Sequence, residues 1–372
     1  MKAFLLVCSQ AVSALCFAQY PFSASPPPEG DTVVHALMPN AGSDHYYRIY
    51  VGASYNITKY RTNKKPYAAK HSIGLNYSIT ENSFHPYYEG DFPQALGQWG
   101  LALKAGYDGI RRTNFYGLGN ETVIQNRDTR FNWVRTHHQY VSFGVERPFA
   151  THHRFNFNLL YDGIQVLNED NRFISKDQLT IEPAEFDWQY FIGTQVQYTF
   201  NNLDNEALPT RGFEFVASGI RRENLQRGGH SFNRYTADLQ AFFPLSSKFT
   251  YSFHSGVATL TGHPDFYLYN SIGGTRTVRG YNWYRFYGKT SFYNQNDLLW
   301  ITQVNRGSIY GRFGFLAFYD IGRVWMPGEE SDKMHYGYGV GLVLVPLDRF
   351  VFKLMFGISN EDWRINTGLE KL

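Results

Sequence analysis

Residues 188–200, Trp-Gln-Tyr-Phe-Ile-Gly-Thr-Gln-Val-Gln-Tyr-Thr-Phe, alternate between two chemistries. Trp188, Tyr190, Ile192, Thr194, Val196, Tyr198 and Phe200 fall on one side of an extended chain. Gln189, Phe191, Gly193, Gln195, Gln197 and Thr199 fall on the other. Successive side chains of a strand point to opposite faces, so the segment reads as a strand with one greasy and one polar face. The same period of two returns elsewhere. Tyr235, Ala237, Leu239, Ala241 and Phe243 oppose Arg234, Thr236, Asp238 and Gln240. Tyr336, Tyr338, Val340, Leu342 and Leu344 back onto Gly337, Gly339 and Gly341. Phe155, Phe157, Leu159 and Tyr161 face away from Arg154, Asn156, Asn158 and Asp162.

A soluble β-sandwich or lipocalin-like barrel would show this alternation with its apolar face inward. Two features argue for the opposite sense. The segments match the ~9–11 residues a tilted membrane strand needs and exceed the ~5–6 usual in globular sheets. Their apolar faces also carry Phe, Tyr and Trp near strand ends, as interfacial girdles do. Composition agrees: Phe 31, Tyr 28 and Trp 7 coexist with a mean hydropathy of only −0.39, so the rings are interleaved with polar residues. An apolar content of 43% excludes intrinsic disorder. Past the first twenty residues no run approaches the ~20 apolar residues of a spanning helix. The net charge of +3 is too small to argue for nucleic acid. The chain reads as an all-β, transmembrane antiparallel β-barrel of a Gram-negative outer membrane, in contact with its lipids and the lipopolysaccharide outer leaflet.

Strands are expected near 70–80, 83–92, 97–108, 135–147, 152–166, 187–200, 212–222, 231–244, 249–261, 289–303, 312–325, 335–345, 349–359 and 362–372. Two more fit within 31–66, one of them near 46–58. Sixteen strands put both termini on the periplasmic side. The short turns at 148–151, 245–248 and 346–348 then face the periplasm, and the connections 109–134, 167–186 and 262–288 face outward. Ahead of the barrel, Met1-Lys2, the apolar run 3–16 and Ala18 read as a signal peptide over 1–18. Both cysteines, Cys8 and Cys16, lie inside it. Cys16 as a lipidation site is the alternative, although Leu15 is bulkier than a lipobox prefers. Residues 19–45, with Pro26-Pro27-Pro28 and Asn40-Ala41-Gly42, read as a periplasmic tether, and the barrel as 46–372, its first strands beginning as early as 31.

Two connections carry more specific signals. Leu203-Asp204-Asn205-Glu206-Ala207-Leu208-Pro209-Thr210-Arg211-Gly212 is at minimum a tight turn, because Pro209 fixes φ and Gly212 frees it. Ser271-Ile272-Gly273-Gly274-Thr275-Arg276-Thr277-Val278-Arg279-Gly280-Tyr281 lies within the long connection 262–288. Taken together and in this order, they resemble the barrel of the outer-membrane assembly and translocation superfamily, which includes BamA, TamA and the two-partner-secretion transporters. That family has a Pro-Thr-x-Gly turn after its eighth strand, matched by Pro209-Thr210-Arg211-Gly212. Its sixth extracellular loop has a Val-Arg-Gly-aromatic tip, matched by Val278-Arg279-Gly280-Tyr281. An Asp-x-Gly on its thirteenth strand is matched by Asp320-Ile321-Gly322, and an acidic residue on its twelfth by Asp297. Asn114-Phe115-Tyr116-Gly117-Leu118-Gly119-Asn120-Glu121-Thr122 is similar to a segment of the surface-antigen branch. The likeness spans roughly 46–372.

The resemblance implies that the long loop folds into the lumen, where Arg279, Gly280, Asp320 and Asp297 form a latch. Gly273, Gly274, Val278 and Tyr281 shape the loop, and Asp204, Pro209 and Gly212 shape the periplasmic turn. Strand parity agrees, since Asp320 shares a face with Arg312, Gly314, Phe318 and Gly322 and so points inward. The rival reading keeps Asp320 in a polar lumen network and leaves Arg279 in solvent. Family transporters carry periplasmic POTRA modules before the barrel, and the stretch 19–44 is too short for one.

His137-His138 and His152-His153 suggest a metal site, but neighbouring histidines on a strand diverge and no Cys or carboxylate completes a set; interfacial strand-end positions are the plainer reading. His254 and Ser255 likewise diverge, giving no hydrolase constellation. No cofactor motif is present. The expected function is non-enzymatic: insertion or translocation of client outer-membrane or secreted polypeptides, with accessory envelope proteins as partners. The alternative is a passive pore or structural surface barrel.

Overall fold

A computed structural model describes residues 30–126, 128–176, 181–306 and 309–371. The expected signal peptide over 1–18, with Cys8 and Cys16, lies outside the described residues, as does the first part of the stretch read as a tether. Eighteen strands follow in order: β1 Thr32–Asp44, β2 Arg48–Arg61, β3 Lys64–Ser78, β4 Ser83–Leu96, β5 Trp99–Asn114, β6 Trp133–Ala150, β7 His153–Val166, β8 Gln189–Asn201, β9 Gly212–Asn224, β10 Phe232–Pro244, β11 Phe249–Gly262, β12 Asn270–Ile272, β13 Phe286–Gly288, β14 Thr290–Arg306, β15 Ile309–Trp325, β16 His335–Pro346, β17 Phe350–Ser359 and β18 Trp363–Lys371. All but β12 and β13 form one antiparallel sheet of 16 strands in chain order, β14 pairing directly with β11. This is the barrel wall.

The alternation decides which way each strand faces. On β16, Tyr336, Tyr338 and Val340 are 47%, 51% and 60% exposed, whereas Gly337 and Gly341 on the other face are buried. On β15, Phe315 and Tyr319 face out while Phe318 and Asp320 are buried. Apolar side chains therefore clothe the outer surface and polar ones line the interior, the inverse of a soluble barrel. Each consecutive pair of strands in this sheet is joined by an antiparallel backbone ladder, as a sheet in hydrocarbon requires.

Short turns gather at one end of the barrel and long loops at the other. The long-loop end is capped by its own aromatic core: Phe115 and Phe131 from loop 115–132, Phe173 and Ile174 from loop 167–188, and Phe266 and Tyr287 from 263–289 pack together with Val134 and Val166 of the wall.

The tether gives way to strand earlier than its composition suggests. Residues 32–44, read as tether, pair with β2 in unbroken register from Thr32↔Tyr60 to Asp44↔Arg48, making this the first strand of the wall. Pro39 and Gly42 interrupt the pattern of side chains, but a ladder satisfies the backbone all the same. The second strand accordingly begins at Arg48 rather than near Tyr46. β5 and β6 also run further than alternation alone indicates, to Asn114 and from Trp133, which shortens the loop between them.

Candidate functional site

Between β11 and β14 the chain leaves the wall and doubles back. β12 and β13 pair as a short stem, Asn270↔Gly288 to Ile272↔Phe286. The tip is tied by Gly273 N–H donating to Thr277 Oγ1 (2.8 Å) and Gly274 N–H to the Val278 carbonyl (3.2 Å). Gly273 has φ +116°, and a Cβ there would lie 2.3 Å from the Asn282 carbonyl oxygen, so the reversal needs glycine.

The tip lies against the inner wall. Arg279 donates from its backbone N–H and its Nε to Asp320 Oδ2, both at 2.8 Å, and from Nη2 to Asp320 Oδ1 at 2.5 Å. Nη2 also reaches Asp297 Oδ1 on β14 (2.5 Å). The guanidinium sits 3.8 Å from the Phe318 ring centroid, and its Nη1 is 3.7 Å from Met355 Sδ. Burial acts to lower the basicity of Arg279, but the hydrogen bonds and charge of Asp320 and Asp297 prevail and hold it above the ordinary guanidinium range. A forked guanidinium on a buried carboxylate is the strongest kind of charge-assisted pairing. Val278 is fully buried with Ile272, Tyr281, Phe286 and Val324, and the Tyr281 hydroxyl donates to Asn360 (2.6 Å).

Glycines make this approach possible. A Cβ on Gly322 would come within 2.7 Å of Val278 Cγ2, and one on Gly357 within 3.0 Å of the Gly280 nitrogen. On Gly337 it would stand only 1.8 Å from the Arg279 carbonyl oxygen. β15, β16 and β17 thus present a trough without side chains, into which the backbone of Val278-Arg279-Gly280 is laid.

Residues that the sequence reading did not single out hold the loop from above. Arg285, fully buried, forks onto Glu361 through Nε (2.8 Å) and Nη2 (2.6 Å) and donates through Nη1 to Thr122 Oγ1 (2.9 Å). The Asn120 backbone N–H donates to Glu329, its Nδ2 to Ser331 Oγ and the Lys333 carbonyl, and its Oδ1 accepts from Val324 N–H. The segment 114–122 carried a family likeness but no role, and it proves to be the tie between loops.

At the short-turn end, Asp204 Oδ1 accepts from the N–H groups of Thr210 (2.9 Å) and Arg211 (3.1 Å), and its Oδ2 from the Thr210 hydroxyl (2.6 Å). Desolvation would raise the Asp204 carboxyl, but these bonds hold it below its ordinary value. Gly212 closes the turn at φ +100°. The turn does not hang free: Ala207 and Leu208 are buried against Leu316, Val343, Val345, Val351 and Met355 of the inner wall. Between this turn and the loop tip lies a chamber of about 1030 Å³, lined by residues including Arg276, Arg279, Asp297, Glu206 and Lys353.

The histidines are spoken for by the wall. His138 faces inward between Asp108 (3.3 Å) and Asp162 (3.0 Å), whereas His137 turns the other way onto the Gly109 carbonyl. His152 meets the Asn201 carbonyl and His153 the Tyr198 hydroxyl. His254 bonds Asp238 (2.8 Å) and Ser255 the Tyr293 carbonyl. Among the described residues no three His, Cys, Asp or Glu side chains converge as metal ligands.

Residues 65–366 match the Omp85 superfamily domain. The chain belongs to the Omp85 superfamily. Solved structures share its fold. BamA from Haemophilus ducreyi lacking POTRA domains 1-3 superposes with a TM-score of 0.65 at 13% identity, over 99% of this chain and 78% of that one. CdiB from Escherichia coli (TM-score 0.54, 13% identity) is matched over 92% of this chain and 62% of its own length. CdiB from Acinetobacter baumannii (0.53, 12%) is matched over 91% and 65%. The chain therefore spans less than two thirds of either CdiB. No curated protein matches it significantly. Omp85 membership makes the chain an outer-membrane β-barrel, and the folded-back loop is the feature that its interior is built around.

Proposed function

We propose that this Omp85 barrel inserts or translocates polypeptides at the outer membrane of a Gram-negative cell, without hydrolysis, using the loop 263–289 as a displaceable plug. The reading rests on one observation above all: at the loop tip Arg279 is forked onto Asp320 and Asp297, beside wall positions that glycines leave free of side chains. Such a contact is firm while paired and leaves little behind when broken. Outer-membrane lipids, client polypeptides and accessory envelope proteins are the partners this activity requires. Arg279→Ala removes the fork and leaves two carboxylates facing each other, so the loop loosens and single-channel conductance in planar bilayers rises. Depleting the protein from its cell lowers the amounts of specific outer-membrane or secreted proteins. An unchanged envelope proteome upon depletion rejects this function.

The interlocked cap of loops at the outer end favours a second reading, a passive or structural surface barrel. Under it, Arg279→Ala still changes conductance, but depletion leaves the proteome intact.

A further inference from the structure

The interior of a membrane barrel is ordinarily polar, and most of this one is. An exception lies at the short-turn end, where Leu316 of β15, Val343 and Val345 of β16, and Val351 of β17 all point inward and are buried. An apolar patch facing an aqueous lumen has to be covered. Ala207 and Leu208, on the turn 202–211, cover it.

The covering turn is built to move as one piece. Asp204 and Asn205 tie it internally, Asn205 Oδ1 accepting from Ala207 N–H (3.0 Å) and Leu208 N–H (2.8 Å), so its shape does not depend on the wall it touches. What it offers the wall is a small and a branched apolar side chain.

We propose that this inner-wall patch is an entry seat for an extended polypeptide whose apolar residues alternate with polar ones, and that Ala207–Leu208 occupies it as a resident stand-in. The claim rests on the polypeptide-handling function above and adds where the client first touches the lumen. The present occupant shows the chemistry that fits. A strand-forming client displays such a side chain at every second residue, and the patch opens toward the end from which periplasmic material arrives. The seat is also wired to the latch: Phe318 and Met355 belong to the same apolar cluster as Leu208, and both touch the Arg279 guanidinium. A client that displaces the turn therefore disturbs the packing on which Arg279 rests. Coupling through contiguous packed groups of this kind is open to direct measurement.

The test places photoreactive benzoylphenylalanine at Val343 in the purified full barrel in detergent. With no addition, irradiation yields an internal adduct to the turn at Ala207–Leu208. A synthetic peptide reproducing Gln189–Asn201 of this chain is then added, alongside a version scrambled to destroy alternation. In the wild type the tethered turn outcompetes the free peptide. In Leu208→Asp, which vacates the seat, the peptide adduct rises about tenfold or more as the intramolecular competitor is removed. The scrambled peptide does not gain, and adduct formation with the alternating peptide hastens proteolytic nicking within 263–289. Leu208→Ala serves as a milder second variant. Absence of the internal adduct, or no peptide adduct in either variant, overturns the proposal. That failure leaves the depletion experiment untouched; conversely, an unchanged proteome with peptide adducts present rejects the transport function and keeps the seat.

Discussion

The Arg279 guanidinium meets two carboxylates, an aromatic face and a thioether. A buried pair deprived of one partner loses about 3–5 kcal/mol, because the remaining charge is left uncompensated. Asp320→Asn is therefore expected to release the loop in large part even though Asp297 remains, and Arg279→Lys to release it partly, since an ammonium keeps the charge but not the fork. Limited proteolysis within 273–285 reads this directly; protection equal to wild type in Asp320→Asn would contradict the latch. A second residue couples the loop to acidity. His45, in the turn between β1 and β2, stacks on Trp283 at 4.7 Å, and burial, then the nearby Arg276, Arg111 and Arg48, push its pKa down from 6.5 to about 3. A base depressed in the folded state is neutral there while its unfolded counterpart takes up a proton. Its contribution is thus complete above about pH 6.5 and declines as pH falls from there toward 3. Hydrogen-exchange protection across 270–288, taken relative to the intrinsic exchange rate at each pH, should fall between pH 7 and pH 4.5, and His45→Phe should remove most of that dependence.

Among the elements, β15, β16 and β17 do two jobs on opposite faces: lipid-facing rings and aliphatics outside, a glycine trough inside. Gly337→Ala sets a Cβ against the Arg279 carbonyl oxygen, and because both partners are backbone neither can swing aside. The loop tip is expected to leave the wall, raising conductance much as Arg279→Ala does with every latch residue still in place. Gly219→Ala, whose nearest neighbour would be a Tyr235 ring atom at 3.5 Å, should be silent. Equal conductance for the two variants refutes the trough. Alternation displayed these glycines plainly in residues 336–344, but one strand cannot announce what will lie against its inner face, so their purpose stayed hidden. Parity turned Asp320 inward, while its link to Arg279 came only from likeness, since 41 residues separate the two in sequence. Arg285 and Glu361 had neither parity nor motif to mark them. β1 was obscured for another reason: Pro39 and Gly42 spoil a pattern of side chains, whereas the strand is held by its backbone.

At the scale of the whole molecule, sixteen strands were legible because a two-sided wall between lipid and water imposes the same period on every segment. The cap over the long-loop end was not, because loops packing on loops obey no period. Asn120 is its keystone, fully buried and tied to Glu329, Ser331, Lys333 and Val324. Asn120→Ala removes four side-chain bonds, to Ser331, Lys333, Val324 and His335, and strands their partners, at a cost of about 1–3 kcal/mol for each buried group left unpaired. Exchange should then accelerate together in 115–132 and 326–334, with the wall strands unaffected; acceleration confined to one of the two segments would show that they are not a unit. That unity has an immunological consequence. Loops 115–132, 167–188 and 263–289 pack on one core and Asn120 ties 326–334 to them, so a short linear peptide copied from any one loop is expected to reproduce little of what an antibody meets on the cell. Sera raised against the refolded barrel should label intact bacteria, while sera raised against single-loop peptides should recognise only the denatured chain on a blot.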